Sequence, residues 1–245
     1  TLLYWIREFD IDGYRCDVAG LVPYDFWQET LAELKREKPD IYLLAEWEDP
    51  EILLAGFHSD YGWTEYHDMV DIRLRNQRTA TVLQTIQLKS DLYPKNHFTM
   101  RFLENHDERR SLDVFGIQAI EAYAALLFTL PGIPLMYAGQ EIGALEQPSL
   151  FEKSVVPWKD GDHLLHEMYR RFIQFRKNTD CLTDGDYLQL GVASLKGSVG
   201  AFIRWNENSA ILVITNLQDK SAEKILITLP EELLSRFKKY HWQSY

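Results

Sequence analysis

The sequence predicts an α/β fold of (β/α)8 barrel type, followed by a small antiparallel all-β sandwich domain. Three observations predict it. Strand and helix periodicities alternate regularly over residues 1–178. The strands are short, unbroken apolar runs such as Ile41-Tyr42-Leu43-Leu44-Ala45. That pattern belongs to parallel strands covered on both faces by helices. Past about Cys181 the chain turns into short β-branched and aromatic segments split by Gly, Asn, Asp and Lys, the signature of antiparallel strands. The expected division is therefore 1–178 and 179–245.

Each element follows from local signals. Leu2, Leu3, Ile6 and Phe9 recur at helical spacing, which places a helix at the start of the chain. Residues 11–18 read as a strand. A helix is expected over 24–38, with Phe26, Trp27, Leu31 and Leu34 on one face and Pro39 as its stop. The run 41–45 is a strand ending at Glu46. Residues 57–68 read as an aromatic-rich loop with a short strand, 80–89 as a helix, and 97–103 as a strand leading into Glu104-Asn105-His106-Asp107. A helix over 116–129 is closed by Pro131-Gly132, and 133–138 looks like another buried strand. Residues 163–177 form an amphipathic helix through Leu164, Leu165, Met168, Phe172 and Phe175. In the second part, 187–190, 201–205, 210–215 and 224–229 read as strands, with turns at Asp184-Gly185 and Lys196-Gly197.

Bulk properties narrow the function classes. The chain has 245 residues, 46% hydrophobic and 26% charged, an ordinary globular composition with enough apolar mass for a substantial core. A net charge of −11 opposes a nucleic-acid surface, which needs clustered Lys and Arg to neutralise phosphates. No apolar run reaches the roughly 18 residues of a membrane span. Two cysteines, Cys16 and Cys181, make neither a disulfide framework nor a metal site, and Cys16 should point to the packed side of its strand. Aromatics reach 13%, suited equally to sugar stacking and to core packing. The first residue is not methionine and falls inside a helix, so compartment is not legible, and neither is oligomeric state.

The chemistry gathers at strand ends. In Asp12-Gly13-Tyr14-Arg15-Cys16-Asp17, side chains at i and i+2 share a face. Arg15 should therefore stand beside Asp17 and keep its carboxylate ionised. Glu46 and Asp107 follow two further strands. In a (β/α)8 barrel, functional groups collect at the C-terminal strand ends, and carboxylates converging there suit glycosidic bond cleavage. Asp17 would attack the anomeric carbon. Glu46, flanked by Ala45 and Trp47, would act as acid and base, a role that needs a raised pKa. Asp107 would bind hydroxyls and stabilise positive charge, with His106 beside it.

These segments resemble the α-amylase family of retaining α-glycoside hydrolases, family thirteen. The resemblance rests on Asp12 to Asp17, Leu44-Ala45-Glu46-Trp47, Phe102-Leu103-Glu104-Asn105-His106-Asp107, and the run Pro131 to Gly143, all in the family's order. It implies a TIM (β/α)8 barrel of which this chain carries about strands four to eight, then the family's C-terminal β-domain, which may be cut short at Tyr245. It implies Asp17 as nucleophile, Glu46 as acid/base, Asp107 as stabiliser, and Arg15 and His106 as their partners. The substrate class implied is α-glucan or malto-oligosaccharide. Gly20-Leu21-Val22-Pro23 stands where many α-amylases carry a Lys-His pair. The family's structural calcium is usually held there and in the barrel portion not matched here, so no calcium or other metal site, and no cofactor, is expected in this chain.

Several residues carry two readings. Trp47, Tyr61 and Trp63 suit sugar stacking and packing equally. The His- and Asp-rich stretch 57–68 matches no zinc or calcium spacing. Trp158 reads as core, and Lys35-Arg36-Glu37-Lys38 as a solvated helix end. Two alternatives stand beside hydrolysis: α-glucan transglycosylation by the same residues, and an inactive partial gene product whose half barrel exposes unpaired strand edges.

Overall fold

The computed structural model describes residues 1–193, 197–219 and 224–237. The first part runs α1 (Leu2–Phe9), β1 (Gly13–Cys16), α2 (Tyr24–Glu37), β2 (Tyr42–Ala45), α3 (Pro50–Leu54), β3 (Ser59–Tyr61), α4 (Trp63–Arg75), α5 (Ala80–Leu92), β4 (Phe98–Arg101), α6 (Ser111–Phe115), α7 (Ile120–Thr129), β5 (Ile133–Pro134) and α8 (His163–Lys177). The second comprises α9 (Cys181–Asp184), β6 (Asp186–Ala193), β7 (Val199–Trp205), β8 (Ala210–Asn216), β9 (Leu226–Thr228) and α10 (Glu231–Phe237).

Strands β1 to β5 form one sheet in sequence order, and every pairing is parallel. Gly13 to Cys16 lie opposite Tyr42 to Ala45 in register, which brings Asp17 and Glu46, the next residues, to the same rim. The strands bury nearly all their aliphatic side chains: Leu43 and Ala45 are fully covered and Leu44 is 8% exposed. Each Leu or Ile so buried contributes about 1.5–3 kcal/mol. Among the described residues β1 and β5 each have one strand neighbour, so the sheet is an open arc.

Helix ends are fixed by identifiable groups. Asp162 caps α8 by accepting from the Leu164 and Leu165 N–H groups, and Asp49 with Pro50 starts α3. At the end of α7 the carbonyls left without intrahelical partners meet buried arginines. Arg176 donates to Phe128, Leu130 and Gly132 carbonyls, Arg204 to Thr129, and Arg101 to Pro131. Cations at a helix C-terminus satisfy both its orphan acceptors and its dipole. Burial nevertheless pushes Arg176 and Arg204 down to about 10.

The second sheet, ordered β8-β7-β6-β9 and antiparallel throughout, packs on α5 and α7. Tyr187 and Phe202 join their core cluster, Tyr187 donates to the Leu83 carbonyl at 3.1 Å, and Tyr123 to that of Leu217 at 2.9 Å. Leu233 of α10 covers Leu190, Ala201 and Ile203.

Several expectations need correction. Among the described residues the second part carries four antiparallel strands, with α5 and α7 against one face and Leu233 of α10 on Leu190, Ala201 and Ile203 of the other. The helix expected over 116–129 starts only at Ile120, and a separate short helix, α6, precedes it and ends where Gly116 adopts φ 75°. Residues 63–68, expected in a loop, open helix α4. Its inward face alternates Tyr66, Met69 and Ile72 with the buried Glu65, and that carboxylate masks the apolar period. Lys35 and Lys38 are not idle charges: they bind the Gly56 carbonyl at 2.6 Å and Asp10 and Asp12. Trp158 is 54% exposed, not core. Cys16 is half-buried against its core cluster. The expected turn at Lys196 and the chain's end at Tyr245 lie outside the described residues. No helix among the described residues is long and apolar enough to cross a membrane.

Candidate active site

Arg15 organises the rim. Its Nη1 meets Asp17 Oδ1 at 2.5 Å and its Nη2 meets Glu46 Oε1 at 2.6 Å, while Nε–H donates to the Tyr61 hydroxyl at 3.2 Å. One guanidinium thereby links side chains from the ends of β1, β2 and β3. A planar fork of five donors is suited to that task, and a lysine ammonium is not. Burial works against the charge on Arg15, but hydrogen bonds to Tyr61 and Asp17 outweigh it and raise its pKa.

Asp17 is the open member of the group, its side chain 75% exposed. Its pKa is held below the ordinary value, first by the Arg15 hydrogen bond and further by contact with Glu46 and the nearby His106. Asp17 is thus held as a carboxylate, as a nucleophile requires. Glu46 is more enclosed, at 12%. Its surroundings are less apolar than the flanking sequence suggests, since Arg15 holds one oxygen and the Val18 N–H donates to the other at 2.8 Å. Val18 adopts φ 42°, a genuine outlier for a β-branched residue. Such strain is tolerated where surrounding bonds over-determine it, here the Val18 and Ala19 N–H bonds to Glu46.

The loop after β4 brings the third carboxylate in. Acceptor or donor atoms of Glu46, His106 and Asp107 lie within 4.8 Å of one another, and His106 Nε2 is 3.2 Å from Asp107 Oδ2. Asn105 Oδ1 accepts from the Asp107 and Glu108 N–H groups at 2.9 and 3.0 Å, an Asx-type turn that fixes the backbone at Asp107. The structure therefore brings Arg15, Asp17, Glu46, His106 and Asp107 together.

The three aromatics are placed differently. Tyr61 is 5% exposed, faces Arg15, and has little free ring surface. Trp63 stacks on Tyr61 at 5.6 Å and meets Phe102 edge-on at 5.0 Å, half-buried beside the rim. Trp47 packs into the core around α2, its indole so close to Gly20 that a Cβ there would lie 2.0 Å from the ring.

The sequence pattern did not single out Glu104 and Arg110, which form a fully buried pair at 2.6 Å across the base of the Asp107 loop. The only signal available was two opposite charges bracketing an otherwise site-like motif. Among the described residues, Glu46, His106 and Asp107 are also the one trio placed to share a metal ion. A ring nitrogen and a carboxylate already held by Arg15 do not suit calcium, which takes six to eight oxygens.

A family model described as "Alpha amylase, catalytic domain" matches residues 1–167. A maltogenic alpha-amylase of Bacillus acidopullulyticus is 29% identical over 231 residues, covering 90% of this chain and 39% of that protein. A cyclomaltodextrinase of Geobacillus thermopakistaniensis is 30% identical over 232 residues, with 90% and 39% covered. Among solved structures, a maltogenic alpha-amylase AmyB from Thermotoga neapolitana superposes with a TM-score of 0.81 at 29% identity, over 88% of this chain and 51% of that one. The chain spans about two fifths of those curated relatives and about half of the solved structure.

Proposed function

The chain belongs to the alpha-amylase family, and from that premise we propose that it carries the catalytic carboxylates of a retaining α-glucan hydrolase acting on α-1,4 bonds of malto-oligosaccharides. On this reading β1 to β5 are strands four to eight of the barrel. The observation that supports it most is the Arg15 bridge, which holds Asp17 and Glu46 side by side on adjacent strands. Carboxyl groups this close fit the retaining geometry better than the wider inverting one.

The steps follow from the positions. An Asp17 oxygen attacks the anomeric carbon as the glycosidic bond breaks, and the departing oxygen takes its electron pair and a proton from Glu46. A glycosyl ester on Asp17 results. Glu46, now a carboxylate, removes a proton from water, whose oxygen displaces Asp17 and retains the anomeric configuration. Delivering the first proton requires a Glu46 oxygen to turn from Arg15 or Val18 toward the sugar. Asp107 stabilises the oxocarbenium-like charge, and His106 aligns it. Trp63 borders the sugar, Tyr61 holds Arg15 beneath it, and Trp47 supports Glu46 from behind. A sugar hydroxyl in place of water would give transglycosylation by the same residues.

The open arc bears on the chain by itself. Asp17 faces solvent, and two parallel edges lack partners among the described residues. The isolated chain is expected to turn over little or no substrate until further strands close the sheet. In the full-length protein, Glu46→Gln should lower hydrolysis of maltoheptaose about 10²–10⁴-fold, and Asp17→Asn should leave no burst of glycosyl-enzyme. Wild-type turnover in Asp17→Asn would end the assignment. Chromatography of products, for lengthened oligosaccharides against glucose and maltose, separates hydrolysis from transfer.

A further inference from the structure

We propose that Glu104 and Arg110 are positioning residues that set the place of Asp107 and lock the loop after β4 to the loop after β5. The inference rests on the reading of Asp107 as the transition-state partner. Both side chains are essentially inaccessible, at 0% and 1% exposure. Arg110 Nη1 donates to Glu104 Oε1 at 2.6 Å and to the Ala138 carbonyl at 2.9 Å. Its Nε donates to the Glu146 carbonyl at 2.9 Å, and its Cζ lies 4.9 Å from the centroid of the Tyr137 ring. The other Glu104 oxygen accepts from the Ser111 N–H at 2.6 Å.

The pair closes a short loop at its base. Between its members lie Asn105, whose Oδ1 holds the Asp107 and Glu108 N–H groups, and His106 and Asp107 themselves. Gln147, one residue past Glu146, donates to the Asp107 carbonyl at 3.2 Å. The Asp107 backbone is thus held on its N–H side from within the loop and on its carbonyl side from the β5 loop that Arg110 anchors.

Stability alone is a poor reason for this arrangement. Burying two charges is costly, and a well-packed apolar pair often serves as well or better. What an apolar pair cannot do is fix direction. The Arg110 fork addresses a carboxylate and two carbonyls at once, which a lysine cannot reproduce. Misplacing a catalytic group by about 1 Å costs on the order of 10²-fold in rate, so a rigid base under Asp107 has a catalytic effect without Glu104 or Arg110 touching substrate.

The test uses Arg110→Lys, which keeps the charge and loses the fork, and Glu104→Gln, which keeps shape and the Ser111 bond. In the full-length protein both should lower kcat on maltoheptaose about 10–100-fold with KM nearly unchanged. Amide hydrogen exchange at Asp107 and Glu108 should speed up about tenfold, the scale of one lost hydrogen bond, while amides of β1 and β2 keep their wild-type rates. A folded variant with wild-type kcat and wild-type exchange at Asp107 overturns the proposal, as does loss of protection spread evenly through β1, β2 and β4. If the wild-type protein fails to cleave α-glucans, the functional reading falls, and the exchange measurement still decides the positioning.

Discussion

The Arg15 Nε–H reaches the Tyr61 hydroxyl at 3.2 Å, so the guanidinium joining Asp17 to Glu46 is anchored on a third strand. Without that acceptor the two remaining contacts would both be to carboxylates, and substrate entry would compete for both. Tyr61→Phe keeps the ring packed on Trp63 and Phe102 and removes only the hydroxyl. We expect a stability loss of about 1 kcal/mol, read from denaturant unfolding, and a several-fold drop in kcat of the full-length protein. A rise in KM with kcat unchanged would instead assign Tyr61 to sugar contact.

Asp60 makes stability depend on pH. It is fully buried on β3, and neither carboxylate oxygen has a hydrogen bond of good geometry. Around it stand Lys89 from α5 and Tyr93 just after it, Thr99 from β4, Glu65 from α4 and Glu48 from the loop after β2. Burial foremost pushes its pKa up to about 7, against Lys89, which lowers it. The folded state therefore binds this proton more tightly than the unfolded chain, whose aspartate titrates near 3.8. The contribution is fully present below about pH 4 and is lost as pH rises to about 7. Asp60→Asn should be more stable than wild type at pH 8 by a few kcal/mol, with the difference shrinking toward pH 4. Equal pH profiles for the two proteins in thermal unfolding would refute this account.

Gly20 is a matter of space. An alanine Cβ would sit 2.0–2.3 Å from three atoms of the Trp47 indole, so the half-buried ring or the short 3-10 turn would have to shift. Gly20→Ala should cost about 1–3 kcal/mol by overpacking, measurable by chemical denaturation. Because Trp47 follows Glu46 directly, a fall in turnover should accompany it. A variant as stable as wild type would mean that the indole can move aside freely.

Much of the rim was legible in the chain. Arg15 and Asp17 meet because residues two apart in a strand share a face, a property of the backbone alone. Glu46 was visible as the first charge after an apolar run. Helix α4 was hidden because Glu65 faces inward, and its carboxylate is accommodated only by Lys89 at 2.6 Å and Arg101 at 3.2 Å, residues from α5 and β4. The second sheet was legible as strands, but what covers its two faces was not.

Periodicity and short motifs are local, so the parallel strands, the carboxylates at their ends and the resemblance that ties them to glycoside cleavage could all be read from the chain. The tertiary structure alone decided that Arg15 also grips Glu46, that Tyr61 anchors Arg15, and that Glu104 and Arg110 brace the loop of Asp107. Those contacts join residues 6 to 46 positions apart. Their geometry is set by strand register and by the requirement that buried charges find partners, and no local pattern records either.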